Sequence, residues 1–264
     1  MQISLIQGLL IALVVFICAC DKHLEAFMWF RPLVVAFFTG IILGDVQLGL
    51  QAGAVTELAY LGLLTVGGTV PPDPLFAGLM TTVLAYTTGQ DVNTAMGLAV
   101  TFALIGQWIG TATNTFYAGF LPGVDKAAAA GDEKKVGRYV FGSMFLYAGL
   151  FAAAAFLSVY ALQDGIAAFV NAFPEWLVHG FEVAGGLMPA VGLALLLVVM
   201  LKKENVAYLL AGFVIMVITN CANILPIAII AGAIAWIGFN RDTELAKLTA
   251  AAPAGEEGEF EDGI

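Results

Sequence analysis

A chain of 264 residues that is 61% hydrophobic and only 11% charged, with a mean hydropathy of +0.94, is not an ordinary soluble domain, where roughly 25% of residues are charged. It reads as an all-α, polytopic transmembrane protein, because it offers many apolar runs near the about 20 residues that a spanning helix needs. The net charge of -10 argues against nucleic acid as a partner, and half of it sits in residues 241–264, where Asp242, Glu244, Glu256, Glu257, Glu259, Glu261 and Asp262 face only Arg241 and Lys247.

The apolar runs fall at residues 3–20, 32–44, 46–70, 75–88, 94–121, 139–162, 177–201, 206–219 and 224–239. The first, "MQISLIQGLLIALVVFICACDKH", lacks the basic start and cleavage site of a signal peptide and is expected to stay in the membrane. Cys18, Cys20 and Cys221 have neither metal-ligand nor disulfide spacing, so no metal, cofactor or redox chemistry is expected. The second run, "RPLVVAFFTGIILGD", is too short to cross a bilayer, as is 206–219; both suit half-helices or re-entrant pairs. Their exposed backbone ends must then line a protein-enclosed cavity, since lipid cannot satisfy them. The third run leads through "TVGGTV" into "PPDP", where three prolines stop any regular helix. Clustered glycines at Gly67-Gly68 and Gly185-Gly186 are candidate hinges or ligand-facing backbone; most others read as close helix packing.

After the fifth run, "GVDKAAAAGDEKKVGR" forms a hydrophilic loop whose Lys126, Lys134, Lys135 and Arg138 place it in the cytoplasm, together with Lys202 and Lys203. The segment "DGIAAFVNAFPEWLVHGFE" is amphipathic and carries Trp176, which suits the membrane interface. Residues 1–240 therefore read as the transmembrane domain and 241–264 as an acidic, disordered cytoplasmic tail. The stretches from Arg31 and from Asn205 each read apolar run, polar break, apolar run, which suggests an inverted repeat of the kind transporters carry.

Ionisable residues inside a membrane are costly and tend to face a polar cavity. Glu57 has no charged neighbour before Asp45 on one side and Asp73 on the other, so it leads the candidates. Asp73 follows flexible backbone and a rigid proline turn that bring it toward the same cavity, or else leave it in a surface loop. Gln7, Gln107 and Asn114 are neutral amides within apolar runs, the last two on one helical face; each binds a solute or ties helices together. Asp45 reads as a break between two short helices. His23 and His179 are isolated and read as interfacial packing rather than phosphoryl or proton carriers. Carboxylates and amides amid Gly, Tyr and Trp suit a neutral polyhydroxylated solute. No G-x-x-x-x-G-K-[ST] nucleotide motif is present, so energy must come from a gradient or a partner.

These residues resemble a known family. "MQISLIQG", "FRPLVVAFFTGIILGDVQLGLQAGAVTELAYLG", "PPDP", "GFEVAGGLMPAVG" and "YLLAGFVIMV" together are similar to the IIC membrane subunit of mannose-type phosphotransferase systems, across about residues 1–240. The resemblance implies a sugar-translocating subunit in the bacterial cell membrane. It also implies an obligate IID membrane partner, cytoplasmic IIA and IIB proteins that carry the phosphate on histidine, surrounding lipid, and assembly as a higher oligomer. The sugar, a hexose or N-acetylhexosamine, is delivered inward and phosphorylated by phospho-IIB, so this chain is a transport subunit and not itself an enzyme. Gln7, Glu57 and Asp73 match the family's polar substrate-binding positions, with Thr56 and Asp45 as nearby candidates, and a mobile core moving against a scaffold is expected. The acidic tail is outside the resemblance. Two other readings stay open on the residues alone: an autonomous ion-coupled transporter using Glu57 as a proton site, and a receptor or scaffold without transport.

Overall fold

A computed structural model describes residues 2–63, 71–161, 163–219 and 225–251. Gly67, Gly68, Cys221 and the end of the acidic tail, 252–264, lie outside the described residues. The chain divides into two compact units, Met1–Met200 and Leu201–Ile264.

In the first unit, α1 (Leu5–Leu24) starts at Ser4, whose side chain accepts from the Gln7 N–H while Gln7 Oε1 accepts from the Ser4 N–H, a reciprocal cap. Three short helices follow: α2 (Pro32–Leu43), α3 (Val46–Tyr60) and α4 (Pro74–Thr88). At 12, 15 and 15 residues and 1.5 Å per residue, each is at most about 22 Å long, short of the roughly 30 Å hydrocarbon layer. These are the broken helices the sequence predicts. Asp45 caps α3 by accepting from the Leu48 N–H at 2.9 Å, and Asp73 caps α4 by accepting from the Phe76 N–H at 3.0 Å. Proline at the first helical position of α2 and α4 removes an N–H that would lack a partner there anyway.

The antiparallel pair α2 and α3 meets at glycine. A Cβ on Gly40 would lie 2.8 Å from Gly49 Cα, and one on Gly49 would lie 2.6 Å from Ala36 O, so no larger residue permits this approach. The pair packs on α4, whose residues from Leu75 to Ala85 are buried without exception. A helix apolar all round is stable only when surrounded, and α4 is enclosed by α2, α3, α5 (Val92–Ala118) and α8 (Gln163–Asn171). Its Thr81 and Thr82 return their hydroxyls to the carbonyls four residues back, at 2.8 and 3.0 Å, so they enter the core without an unmet donor.

The expected hydrophilic loop after α5 is largely helical. Alanines after Pro122 favour α6 (Leu121–Ala129), and Asp132, accepting from the Lys135 N–H at 3.0 Å, starts α7 (Glu133–Phe156) before the apolar run begins. A π-helical turn, Leu157–Ala161, ends α7. The unit closes with α9 (Glu175–Met200), packed on α3 and α5. Of its paired glycines, Gly185 is pressed against the Asn93 backbone while Gly186 faces open space.

The second unit holds a short turn at Lys203–Asn205, then α10 (Val206–Thr219) and α11 (Leu225–Ala251). α11 runs on past Asn240, where the sequence reading starts a tail. The two segments expected to form a repeat pair helices of 12 and 15 residues in one case and 14 and 27 in the other, which does not establish an inverted repeat.

Among the described residues, Leu5–Leu24, Val92–Ala118, Glu133–Ala161 and Glu175–Met200 are long and apolar enough to cross a membrane.

Candidate functional site

The first unit contains a cavity of about 630 Å³ where α1 and α3 end and α2 and α4 begin. Broken helices create such a place, because their termini bring caps and charged flanking residues to one depth. Lys22, His23 and Glu25 come from the end of α1, and Arg31 from the start of α2. Tyr60 closes α3 and Asp73 opens α4. One face of α5 adds Gln107 and Asn114, and α7 adds Tyr147.

Asp73 anchors this arrangement. It is 3% exposed, its N–H donates to Ala103 O at 3.0 Å, and one carboxylate oxygen caps α4 while the other forms an ion pair with Lys22. The Lys22 ammonium also sits 5.1 Å from the centroid of Phe151 and 5.9 Å from that of Tyr147, within reach of the negative ring faces. Gly106 makes room for the carboxylate: a Cβ there would lie 2.6 Å from Asp73 Cβ and 2.8 Å from its Cγ.

A second ion pair stands next to the first. Glu57 accepts from Arg31 Nε at 2.6 Å and from the Leu33 N–H at 3.2 Å. Glu57 itself is not among the cavity's lining residues; Arg31, which binds it, is. The isolated carboxylate of the sequence reading thus finds a cation 26 positions away, as a buried charge must. The loop that carries Arg31 is held by Asp21, whose carboxylate accepts from the N–H of Phe27 at 2.7 Å and of Trp29 at 2.6 Å.

Of the residues singled out from sequence, Asp73, Gln107 and Asn114 share the cavity. Thr56 is buried and donates to Ala52 O at 2.8 Å beside Thr81. Gln7 donates to Ile42 O at 3.1 Å, supplying a partner to a carbonyl in the last turn of α2. Fifteen residues of helix put Gln7 roughly 22 Å from Lys22, at the end of the unit where Asp45 caps α3. Lys22, Arg31 and Tyr60 were missed by sequence reasoning, and His23, read as interfacial packing, lines the cavity and lies 3.2 Å from Ser143 Oγ. The polar break "CDKHLE" at the end of the first run was the available signal. Among the described residues, no three His, Cys, Asp or Glu side chains group to hold a metal ion.

Short helices whose ends line a cavity of donors, acceptors and charges, with four helices among the described residues long and apolar enough to cross a membrane, define a polytopic membrane protein with an internal polar site. Residues 5–237 match the family described as the sorbose-specific IIC component of the phosphotransferase system, and the chain belongs to that family. It is a mannose-family IIC sugar permease component, a multi-pass membrane protein. It is 42% identical to N-acetylgalactosamine permease IIC component 1 of Escherichia coli (strain K12), over all of this chain and 99% of that one. A solved chain described as a membrane protein superposes with a TM-score of 0.80 at 27% identity, covering 90% of this chain and 97% of that one. A second, from a cryo-EM structure of the mannose transporter ManYZ with microcin E492, gives a TM-score of 0.57 at 27% identity, covering 91% and 97%.

Proposed function

We propose that this subunit binds a hexose or N-acetylhexosamine in the cavity beneath Asp73 and moves it inward for phosphorylation by a phospho-IIB protein. The observation that carries this reading is the cavity's chemistry. Its volume of about 630 Å³ falls within the roughly 300–1,000 Å³ of small-molecule sites. Its lining sets Lys22 and Arg31 against Glu25 and Asp73, with Lys22 paired to Asp73 and Arg31 to Glu57 outside the lining, and this balance of sign favours a neutral solute over an ion. Gln107 and Asn114 stand on the α5 wall, and an amide both donates to and accepts from a hydroxyl. The relative that names N-acetylgalactosamine supports an N-acetylhexosamine, and the neighbour that names a mannose transporter supports the hexose class. In this reading Asp73, Gln107 and Asn114 contact the sugar, Glu57 holds Arg31 at the rim, and Gln7, Thr56 and Asp45 shape the helices that carry the site.

In this reading the partners are a IID membrane subunit and cytoplasmic IIB and IIA carriers, and the assembly is a higher oligomer. The deciding experiment is uptake of N-acetylgalactosamine and mannose in cells carrying Asp73→Asn or Asn114→Ala, with assembly of the IIC and IID subunits followed in parallel. Loss of uptake with assembly intact is the expected result. Normal uptake in both variants would sink the site, and uptake in vesicles driven by an ion gradient without IIA, IIB or IID would sink the phosphotransferase coupling.

A further inference from the structure

Among the described residues of this unit, the buried polar side chains are met almost without exception. The threonines of α3 and α4 bond back to their own helices, Asp21, Asp45, Asp73 and Asp91 cap backbone N–H groups, and Gln7 bridges α1 to α2. Tyr60 is the exception. Its residue is 3% exposed, its hydroxyl is buried, and that hydroxyl has no hydrogen-bond partner among the described residues. An unmet phenol costs stability, and such groups in native proteins call for an explanation. It belongs to a residue that lines the same cavity as Lys22, Asp73 and Gln107, with the hydroxyl itself covered by its surroundings.

Geometry limits what the phenol can meet. Asp73 already serves the Phe76 N–H and Lys22, and its backbone N–H serves Ala103 O. Tyr60 sits in the last turn of α3, with its neighbours Val55, Ala77, Met96 and Ala103 apolar. The ring is therefore fixed by packing, and the hydroxyl gains a partner only when a molecule in the cavity displaces the atoms that cover it. A phenol both donates and accepts, which fits a sugar hydroxyl better than an ion or an apolar molecule.

We propose that Tyr60 is a specificity-determining residue of the sugar site, its hydroxyl bonding one ring hydroxyl of the substrate beside the Lys22–Asp73 pair. This rests on the sugar-binding reading above. A site that presents a buried polar group discriminates against any analogue that leaves it unpaired, which is a stronger filter than shape alone.

Tyr60→Phe removes one oxygen and no bond within the described chain, so its consequences separate cleanly. Binding of N-acetylgalactosamine, with mannose as a second probe, is measured on membranes containing the full-length chain with its IID partner, alongside thermal unfolding of the same preparations. The expected result is binding weaker by roughly 5- to 50-fold with an unfolding temperature unchanged or higher. Monodeoxy analogues of the bound sugar supply the second readout. One analogue should bind wild type poorly, and its deficit should vanish in Tyr60→Phe, because both changes remove the same hydrogen bond. Equal affinity of wild type and Tyr60→Phe overturns the inference, as does a drop in unfolding temperature that accompanies uniform weakening of every analogue. Failure of wild type to bind either probe overturns the sugar reading, and this inference with it.

Discussion

Two carboxylates in apolar surroundings, Asp73 and Glu57, each reach a cation distant in the chain, Lys22 in α1 and Arg31 just before α2, yet their settings differ. The Lys22 and Asp73 side chains are 22% and 2% exposed, against 31% and 19% for Arg31 and Glu57. Removing one partner of a buried pair strands the other charge. Lys22→Met should therefore cost roughly 3 kcal/mol of stability, read as a lower unfolding temperature in detergent. Adding Asp73→Asn should recover part of that loss, since no charge is then stranded. An unchanged unfolding temperature in Lys22→Met would refute the pair's structural weight. Glu57→Gln, at the more exposed pair, should cost about 1 kcal/mol or less, and a loss equal to that of Lys22→Met would reverse this ranking. The Glu57 carboxylate accepts from Arg31 and from the Leu33 N–H.

Helix proximity is set by glycine, and the positions can be ranked by what a methyl group would strike. Gly106→Ala drives a Cβ into Asp73 and Phe76, so it should weaken sugar binding by at least tenfold and cost about 1–3 kcal/mol. Gly186→Ala meets nothing within 4 Å and should leave binding and unfolding unchanged, which makes it the paired control. If both variants behave alike, the close approach of α5 to Asp73 does not position the site. At this scale much was legible. Most apolar runs anticipate the helices within a few residues, although α3 stops at Tyr60 within the run 46–70 and α11 runs on to Ala251, and the Gly-Asp and Pro-Pro-Asp-Pro breaks mark where α3 and α4 begin. The helical α6 was not legible, because charged residues around Lys126 and Lys134 masked an alanine-rich stretch, and the Asp132 cap that starts α7 lies inside the same hydrophilic segment.

For the molecule as a whole, Lys126 in α6 and Lys134, Lys135 and Arg138 at the start of α7 predict a cytoplasmic location for the connection between these helices. Lys134→Cys should react with a membrane-impermeant maleimide in inside-out vesicles and not in intact cells; labelling of intact cells would invert the topology. Composition and the length of the apolar runs determined that the solvent is a bilayer and the fold helical, because a continuous apolar run in lipid satisfies its backbone within itself only as a helix. The short runs showed that some helices are broken, and the motif series showed the family. Only the tertiary structure decided which polar residues share a cavity. Lys22 and Asp73 stand 51 positions apart, and Arg31 and Glu57 stand 26 apart. The energy of pairing buried charges depends on distance in space, which no local pattern records. Tyr60 belongs with them for the same reason: in sequence it is one more aromatic in an apolar run, and its unmet hydroxyl exists only once its neighbours are in place.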